Sequence, residues 1–347
     1  MRIITTVDQS NLNASQASAR AAEQRGFSGI TTLENRHDPF LPLAVAALAT
    51  ESMELSTGVA IAFLRSPMST AHIAWDLNAA SRGRFVLGLG TQIKAHNEKR
   101  FSVPWGPPVP RMREYVQALR AIWRAWRGEE RLRFEGEHYR FTLMPPNFMP
   151  EQTEFAPPPV TLAAVGPAML RLAGEVADGV RLHPFCTRKY LEQQVLPNLE
   201  VGFARSGRER HNFEINGGGF LATGKDDEAV AEIAEWVRYR IGFYGSTPAY
   251  WPVLASAGYA DLGEKLNYMT KQGQWDQLAA EIPDDLLHAC AAIGRHDEIV
   301  SIIEQRFAGI SDTVHASASS EQPSDLPADL LADVKKLPQT FSGFATS

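Results

Sequence analysis

The residues of this chain that could do chemistry stand where short apolar runs give way to glycine and polar side chains. Three such places are Glu34-Asn35-Arg36-His37-Asp38, Gly88-Leu89-Gly90-Thr91-Gln92 with His96 and Asn97 close behind, and Val165-Gly166-Pro167-Ala168-Met169. In the second, Gly88 and Gly90 remove side chains where the apolar run ends, so a ligand or another backbone can come close. In the third, a glycine ahead of a helix leaves backbone N–H groups and the positive end of the helix dipole free, which suits a phosphate; a plain strand-to-helix turn has the same sequence. Pro167 fits the first helical position. His37, His72, His96 and His183 could gather around a metal, but so scattered a set more often forms ordinary polar wall.

Several other chemistries are excluded. Gly88-Leu89-Gly90 lacks the third glycine of a dinucleotide fingerprint, and no acidic residue closes a following strand in the right place. There is no Walker-type phosphate loop, no Gly-x-Ser-x-Gly elbow and no strand-ending lysine for a Schiff base. Metal-dependent barrel hydrolases commonly place a His-x-His pair after the first strand, where this chain has Asp8-Gln9-Ser10. A net charge of −6 argues against a nucleic-acid partner. What remains is a scaffold whose hard chemistry is carried by a bound cofactor.

The elements that must position these residues repeat one grammar: helix, glycine or charged turn, short apolar strand, polar loop. Strands are expected at 2–7, 28–33, 55–60, 85–89, 160–164, 179–183, 213–222 and 313–316, with helices between them. Such runs suit parallel strands buried on both faces. The expected fold is α/β: a (β/α)8 TIM barrel in one domain over 1–347, whose chemistry sits on the loops after the strands. Insertions follow strands 4 and 7, at about 91–158 and 224–290, and a flexible C-terminal segment covers about 317–347. With 44% hydrophobic and 21% charged residues, a sizeable core is expected. The two cysteines, Cys186 and Cys290, form no disulfide or metal spacing, the chain opens on a strand without a signal peptide, and no apolar run is long enough for a bilayer. A soluble, cytoplasmic protein without membrane contact is expected.

Several blocks in this order resemble the bacterial luciferase-like monooxygenase superfamily. They are Glu34-Asn35-Arg36-His37-Asp38-Pro39-Phe40, Ser56-Thr57-Gly58-Val59, Arg65-Ser66-Pro67, Ser81-Arg82-Gly83-Arg84-Phe85-Val86-Leu87-Gly88-Leu89-Gly90, and Gly166-Pro167-Ala168-Met169 with Ala173-Gly174-Glu175-Val176-Ala177-Asp178-Gly179. The resemblance runs from Met1 to about His315, and within the superfamily it is greatest to the oxidoreductases that use coenzyme F420, an 8-hydroxy-5-deazaflavin. It implies a barrel that binds a flavin or deazaflavin at its C-terminal rim, usually as a homodimer.

Residue by residue, the resemblance implies a cofactor phosphate at Val165, Gly166, Pro167, Ala168 and Met169. Arg188 or Lys189 would be its cation, or else solvated surface charge. It implies a non-prolyl cis peptide at Gly58-Val59, beside Ala60, supporting the middle of the ring, with ring carbonyls bonded by Thr91, Gln92 and Asn97. Proton transfer would fall to His37 beside Glu34, with His96 as the alternative. Asn35 and Arg36 separate Glu34 from His37, whereas several deazaflavin dehydrogenases have the histidine directly after the acid, so His37 could instead cap the helix near Pro39. Trp105, Phe185, Tyr244, Tyr250 and Trp251 could form an apolar lid over a ring, or simply pack on the barrel wall. Trp123 and Trp126 belong to core or dimer contact. The function implied is hydride transfer between reduced F420 and a small organic substrate. The alternative is an FMN-dependent two-component monooxygenase using O2 and reduced flavin from a partner enzyme. A flavin-binding protein without turnover, or a metal hydrolase on the same barrel, are the remaining classes.

Overall fold

The computed structural model describes residues 1–317 and 323–345, so residues 318–322 and 346–347 of the C-terminal segment expected at about 317–347 lie outside the described residues. Eight parallel strands close into a barrel: β1 (Arg2–Thr6), β2 (Gly29–Thr32), β3 (Glu54–Thr57), β4 (Phe85–Gly90), β5 (Val160–Ala164), β6 (Gly179–Leu182), β7 (Glu214–Gly217) and β8 (Thr313–His315). The order runs β3-β2-β1-β8-β7-β6-β5-β4, and pairing of β3 with β4 closes the ring. The strands are short, apolar and buried on both faces because helices cover the outside and side chains fill the inside. The first helix shows how each turn is made. Asn11 Oδ1 accepts from the Ala14 N–H at 2.9 Å to open Leu12–Arg25, and Gly26 closes it at φ 94°.

Between β4 and β5 the chain runs through the helices Lys94–Lys99 and Pro108–Trp126 and a small antiparallel hairpin, Phe134–Glu135 with Arg140–Phe141. Trp123 and Trp126 are buried in the core. The expected seventh strand is interrupted. β7 ends at Gly217, and Gly217 and Gly218 take φ +89° and +96°, a turn no strand can continue through. The chain then leaves the barrel, and Phe220–Gly224 pairs in parallel with Ala291–Arg295, a strand the periodicity did not reveal. The two strands bracket residues 225–290. The C-terminal segment carries the helix Ala328–Lys336, which buries Leu330, Leu331 and Val334, while the Met1 ammonium donates to the Lys335 and Leu337 carbonyls.

The irregular place in the barrel is β3. Leu55 pairs with Phe85 and Ser56 with Val86, but farther along Ala60 pairs with Leu89 and Ile61 with Gly90. Three residues, Thr57, Gly58 and Val59, therefore stand opposite two, Leu87 and Gly88, and the Gly58–Val59 peptide is cis. This is a bulge, which re-aims the strand beside the rim. Thr57 Oγ1 replaces the lost ladder bonds: it donates to the Gly88 carbonyl at 2.7 Å and accepts from the Gly88 N–H at 2.9 Å. Only glycine fits opposite, because a Cβ on Gly88 would lie 1.9 Å from the Thr57 carbonyl oxygen and 2.6 Å from Arg181 Nε. A Cβ on Gly58 would meet Thr31 Oγ1 at 2.3 Å, and one on Gly90 would meet Val59 Cγ2 at 2.6 Å. By contrast, a Cβ on Gly166 meets nothing within 4 Å. Gly88→Ala should therefore cost at least ~1–3 kcal/mol of stability or prevent folding, and Gly166→Ala should stay within ~0.5 kcal/mol of the parent. Thermal or urea unfolding checks this; equal losses would contradict the close-approach account.

Candidate functional site

The C-terminal ends of the strands surround the Gly58–Val59 bulge. Leu33, Gly58, Val59, Thr91, Ala163, Val165, His183 and His315, all at or just past strand ends, are half-buried rather than packed shut. Val59 lies over Gly90, and Ala163 faces Gly90 from β5. Ala60, directly after the bulge, is fully buried and ladder-paired.

Glu34, past the end of β2, is an anchor. Its carboxylate accepts from the Ile61 N–H at 2.6 Å and from Arg65 at 2.7 and 2.9 Å, and Arg65 also pairs with Asp38 at 3.0 Å. Both oxygens are thereby committed to fixing the chain that follows the bulge. His37 is exposed on the same turn. It does not cap the next helix: Asp38 does, accepting from the Phe40 and Leu41 N–H groups at 2.8 and 3.1 Å. His37 instead faces Asp8, past the end of β1, whose carboxyl is held low first by its bonds from Ser10 and further by His37.

On the β4 side, Gln92 sits at φ 55° and turns its side-chain oxygen back to the Ile93 N–H at 2.9 Å. Thr91 is half-buried beside it, and His96 is half-buried on the helix Lys94–Lys99. Asn97 is buried and clamps this loop, its Nδ2 donating to the Thr91 and Ile93 carbonyls at 3.0 Å each. Only its Oδ1 is left without a partner among the described residues.

Past the neighbouring β5, Gly166 is the N-cap of the helix Pro167–Val176, and no side chain caps it. Pro167 has no N–H, so Ala168 and Met169 supply the free amides there. The Val165 carbonyl is held by the Tyr190 hydroxyl at 3.1 Å. Arg188 does not join this turn. Its guanidinium donates to the Gln305 and Arg306 carbonyls at 2.8 and 2.9 Å, at the end of the helix Ile299–Phe307, and to Glu192 at 2.8 Å. Arg188 and exposed Lys189 line a separate cavity of about 650 Å³, shared with Ser256, His288 and Ile302. Arg188, offered as phosphate cation or as surface charge, thus gives its guanidinium to the C-terminal carbonyls of a helix and to Glu192.

His315 and Arg181 were not read from the sequence as site components, and His183, considered there only as a metal ligand, takes another place. His183 ends β6 between Tyr244 and Tyr250, ring centroids 4.0 and 4.8 Å away, and its Nδ1 accepts from the Phe185 N–H at 3.0 Å. The tautomer therefore carries its hydrogen on Nε2. Burial, with Arg240 behind Tyr244, lowers the His183 pKa to about 3. His315 ends β8 with Nε2 2.6 Å from Asn216 Oδ1, and burial followed by Arg181 lowers it to about 4. Arg181 is buried inside the barrel, and its one signal in the sequence is a charge within the apolar run Gly179-Val180-Arg181-Leu182. No group of three or more His, Cys, Asp or Glu able to hold a metal exists among the described residues. No helix among the described residues is long and apolar enough to cross a membrane.

With this geometry in hand, comparison with known proteins is direct. The sequence matches the luciferase-like monooxygenase family over residues 3–312. The chain belongs to that family. An uncharacterised protein of Mycobacterium tuberculosis is 48% identical over 296 residues, covering 85% of this chain and 87% of that protein. The 5,10-methylenetetrahydromethanopterin reductase of Archaeoglobus fulgidus is 28% identical over 308 residues, covering 86% and 87%. The coenzyme F420-dependent tetrahydromethanopterin reductase of Methanopyrus kandleri shares the fold, with a TM-score of 0.76 at 20% identity and 97% of each chain covered.

The two lowered histidines fix the sign of one pH effect in this luciferase-like barrel. The unfolded chain takes up their protons near pH 6.5, whereas the native state refuses them until about pH 4 for His315 and about pH 3 for His183. Native stability must therefore fall as pH drops from about 6.5 through that window. In melting curves at pH 7 and pH 5, His183→Phe should lose less Tm on acidification than the parent; an equal or larger loss would contradict a neutral, cavity-wall His183.

Proposed function

We propose that this luciferase-like family member is an oxidoreductase that binds coenzyme F420 at the barrel rim and exchanges hydride between it and a small organic substrate. The observation that carries the reading is the β3 bulge. Gly58, Gly88 and Gly90 leave this stretch of the rim poor in side chains, and the uncapped helix start at Gly166 follows β5, two strands along the ring. The residues present fit a flat ring with a phosphate tail: Gly58, Val59 and Ala60 support a ring, and the Ala168 and Met169 amides meet a phosphate. The F420-dependent name of the similar Methanopyrus kandleri reductase supports the choice of cofactor.

When bound, a deazaflavin supplies a carbon centre that takes or gives a hydride. The chain's own residues do the rest. The Glu34–Arg65 pair holds Ile61 and hence the platform in place. Thr91 and the Gln92 side-chain amide line its β4 edge. His183, Tyr244, Tyr250 and Phe185 form a wall that excludes water. His37, exposed beside Asp8, holds or moves the proton that accompanies hydride transfer; His96 is the second candidate. A second copy of the chain covers the helix Leu41–Ala49, which has no charged residue and exposes Leu41 and Leu48 at 57% and 79%.

Fluorescence titration of the purified protein with F420 and with FMN tests the cofactor. The expected result is tight F420 binding and weaker FMN binding. FMN binding alone would transfer the reading to a two-component monooxygenase served by a flavin-reducing partner, and binding of neither would end it. His37→Ala should lower kcat about 100-fold or more while leaving the cofactor Kd nearly unchanged; unaltered kcat would move the proton role to His96. Leu48→Glu should shift sedimentation from dimer toward monomer; an unshifted dimer would contradict that interface.

A further inference from the structure

The interior of the barrel carries an uncommon load of charge. Arg2, Glu54, Glu214 and Thr313 are the first residues of β1, β3, β7 and β8, so they form one layer at the N-terminal end. In that layer Arg2 pairs with Glu54 at 2.6 Å and with Glu214 at 2.9 Å, and Thr313 donates to Glu214 at 2.5 Å. One cation thus serves two carboxyls, and burial together with Glu214 raises the Glu54 pKa, so the pair shares the negative charge of the layer. The compensating cation, Arg181, stands higher. Its neighbour in register is Asn216, two residues beyond Glu214 and about 7 Å nearer the rim.

Arg181 is 6% exposed, and its Nε donates to Thr161 at 2.8 Å. Its two terminal nitrogens have no partner among the described residues. A buried guanidinium with most of its donors unused is costly, so something must compensate it. The guanidinium lies directly beneath the bulge: Nε is 2.6 Å from where a Gly88 Cβ would be, and Nη1 is 3.6 Å from where a Gly58 Cβ would be. The charged groups around it are Glu54 on β3, Glu214 on β7, Arg2 on β1 and His315 on β8, which stays neutral above pH 4. Negative charge thus lies at the bottom of the barrel and positive charge under the rim platform.

We infer that Arg181 is a positioning residue whose cation, aimed at the underside of the Gly58–Val59 platform, stabilises negative charge on a reduced flavin-type ring seated above it. The inference rests on the cofactor reading given above. The chemistry follows from electron counting. A hydride added to a neutral ring brings two electrons and one proton, so the ring is left with one negative charge until it takes up a second proton. A fixed cation under the platform, screened from water, would favour that ionised form of a ring seated above it. Gly58 and Gly88 themselves have no side chain to intervene, and the Thr31 hydroxyl stands beside the guanidinium under Gly58.

The test is an anaerobic pH titration of the absorbance of protein-bound reduced F420, with reduced FMN in parallel, on the whole protein. Arg181→Met should raise the apparent pKa of the bound reduced ring by about one unit or more. Arg181→Lys should restore much of the parent value. Glu54→Gln, which removes the share of negative charge that Glu54 carries in the layer below while keeping the shape, should shift it the other way. If Arg181→Met does not fold, the sign of the Glu54→Gln shift still decides. An unchanged pKa in a folded Arg181→Met, or a Glu54→Gln shift upward, would overturn the inference. Failure of the parent protein to bind either reduced ring would instead overturn the cofactor reading.

Discussion

The structure depends on one contact, the closure of the Thr57 hydroxyl on both backbone groups of Gly88. In a regular parallel ladder those groups would bond the neighbouring backbone. Here β3 carries one residue too many, and a side-chain oxygen stands in as donor and acceptor together. The substitution keeps the barrel closed across β3 and β4 past the extra residue at Gly58–Val59. It requires a β-hydroxyl at 57 and no Cβ at 88. Everything later assigned to the rim inherits its position from that exchange.

The surroundings make the bulge rigid. Glu34 and Arg65 bind the chain just after it, so the carboxylate that looks like an acid or base by position is spent on architecture. Asn97 plays the same part for the loop after β4. Two side chains that could have been chemical are thus structural, while His37, His96 and the amides of Ala168 and Met169 stay available at the rim. Pre-organisation of this kind, in which supporting bonds fix the groups around a cavity, is what a cofactor site requires.

Much of this was legible in the residues. The alternation of short apolar runs with helices leads to the barrel, and Gly88 and Gly90 mark where backbone comes close, because a missing side chain at a buried strand end has few other uses. The resemblance to the luciferase-like family supplied the cis peptide at Gly58, which no periodicity reveals. Other features were hidden because they are not local. That Arg188 serves the carbonyls of a helix more than a hundred residues later cannot be seen from its place after a strand. Nor can the partnership of His183 with Tyr244 and Tyr250. The break at Gly217–Gly218 was readable in principle, since paired glycines in a strand often mark a turn, but the apolar residues beyond them masked it.

The central claim is that the bulge, the β4 loop and the Gly166 turn form one ligand site. Amide hydrogen exchange with and without reduced F420 or reduced FMN tests this directly. The account predicts slowed exchange in peptides spanning 57–61, 88–92 and 165–170 together. Protection confined to 187–189 and 284–306, around the cavity that Arg188 lines, would contradict it.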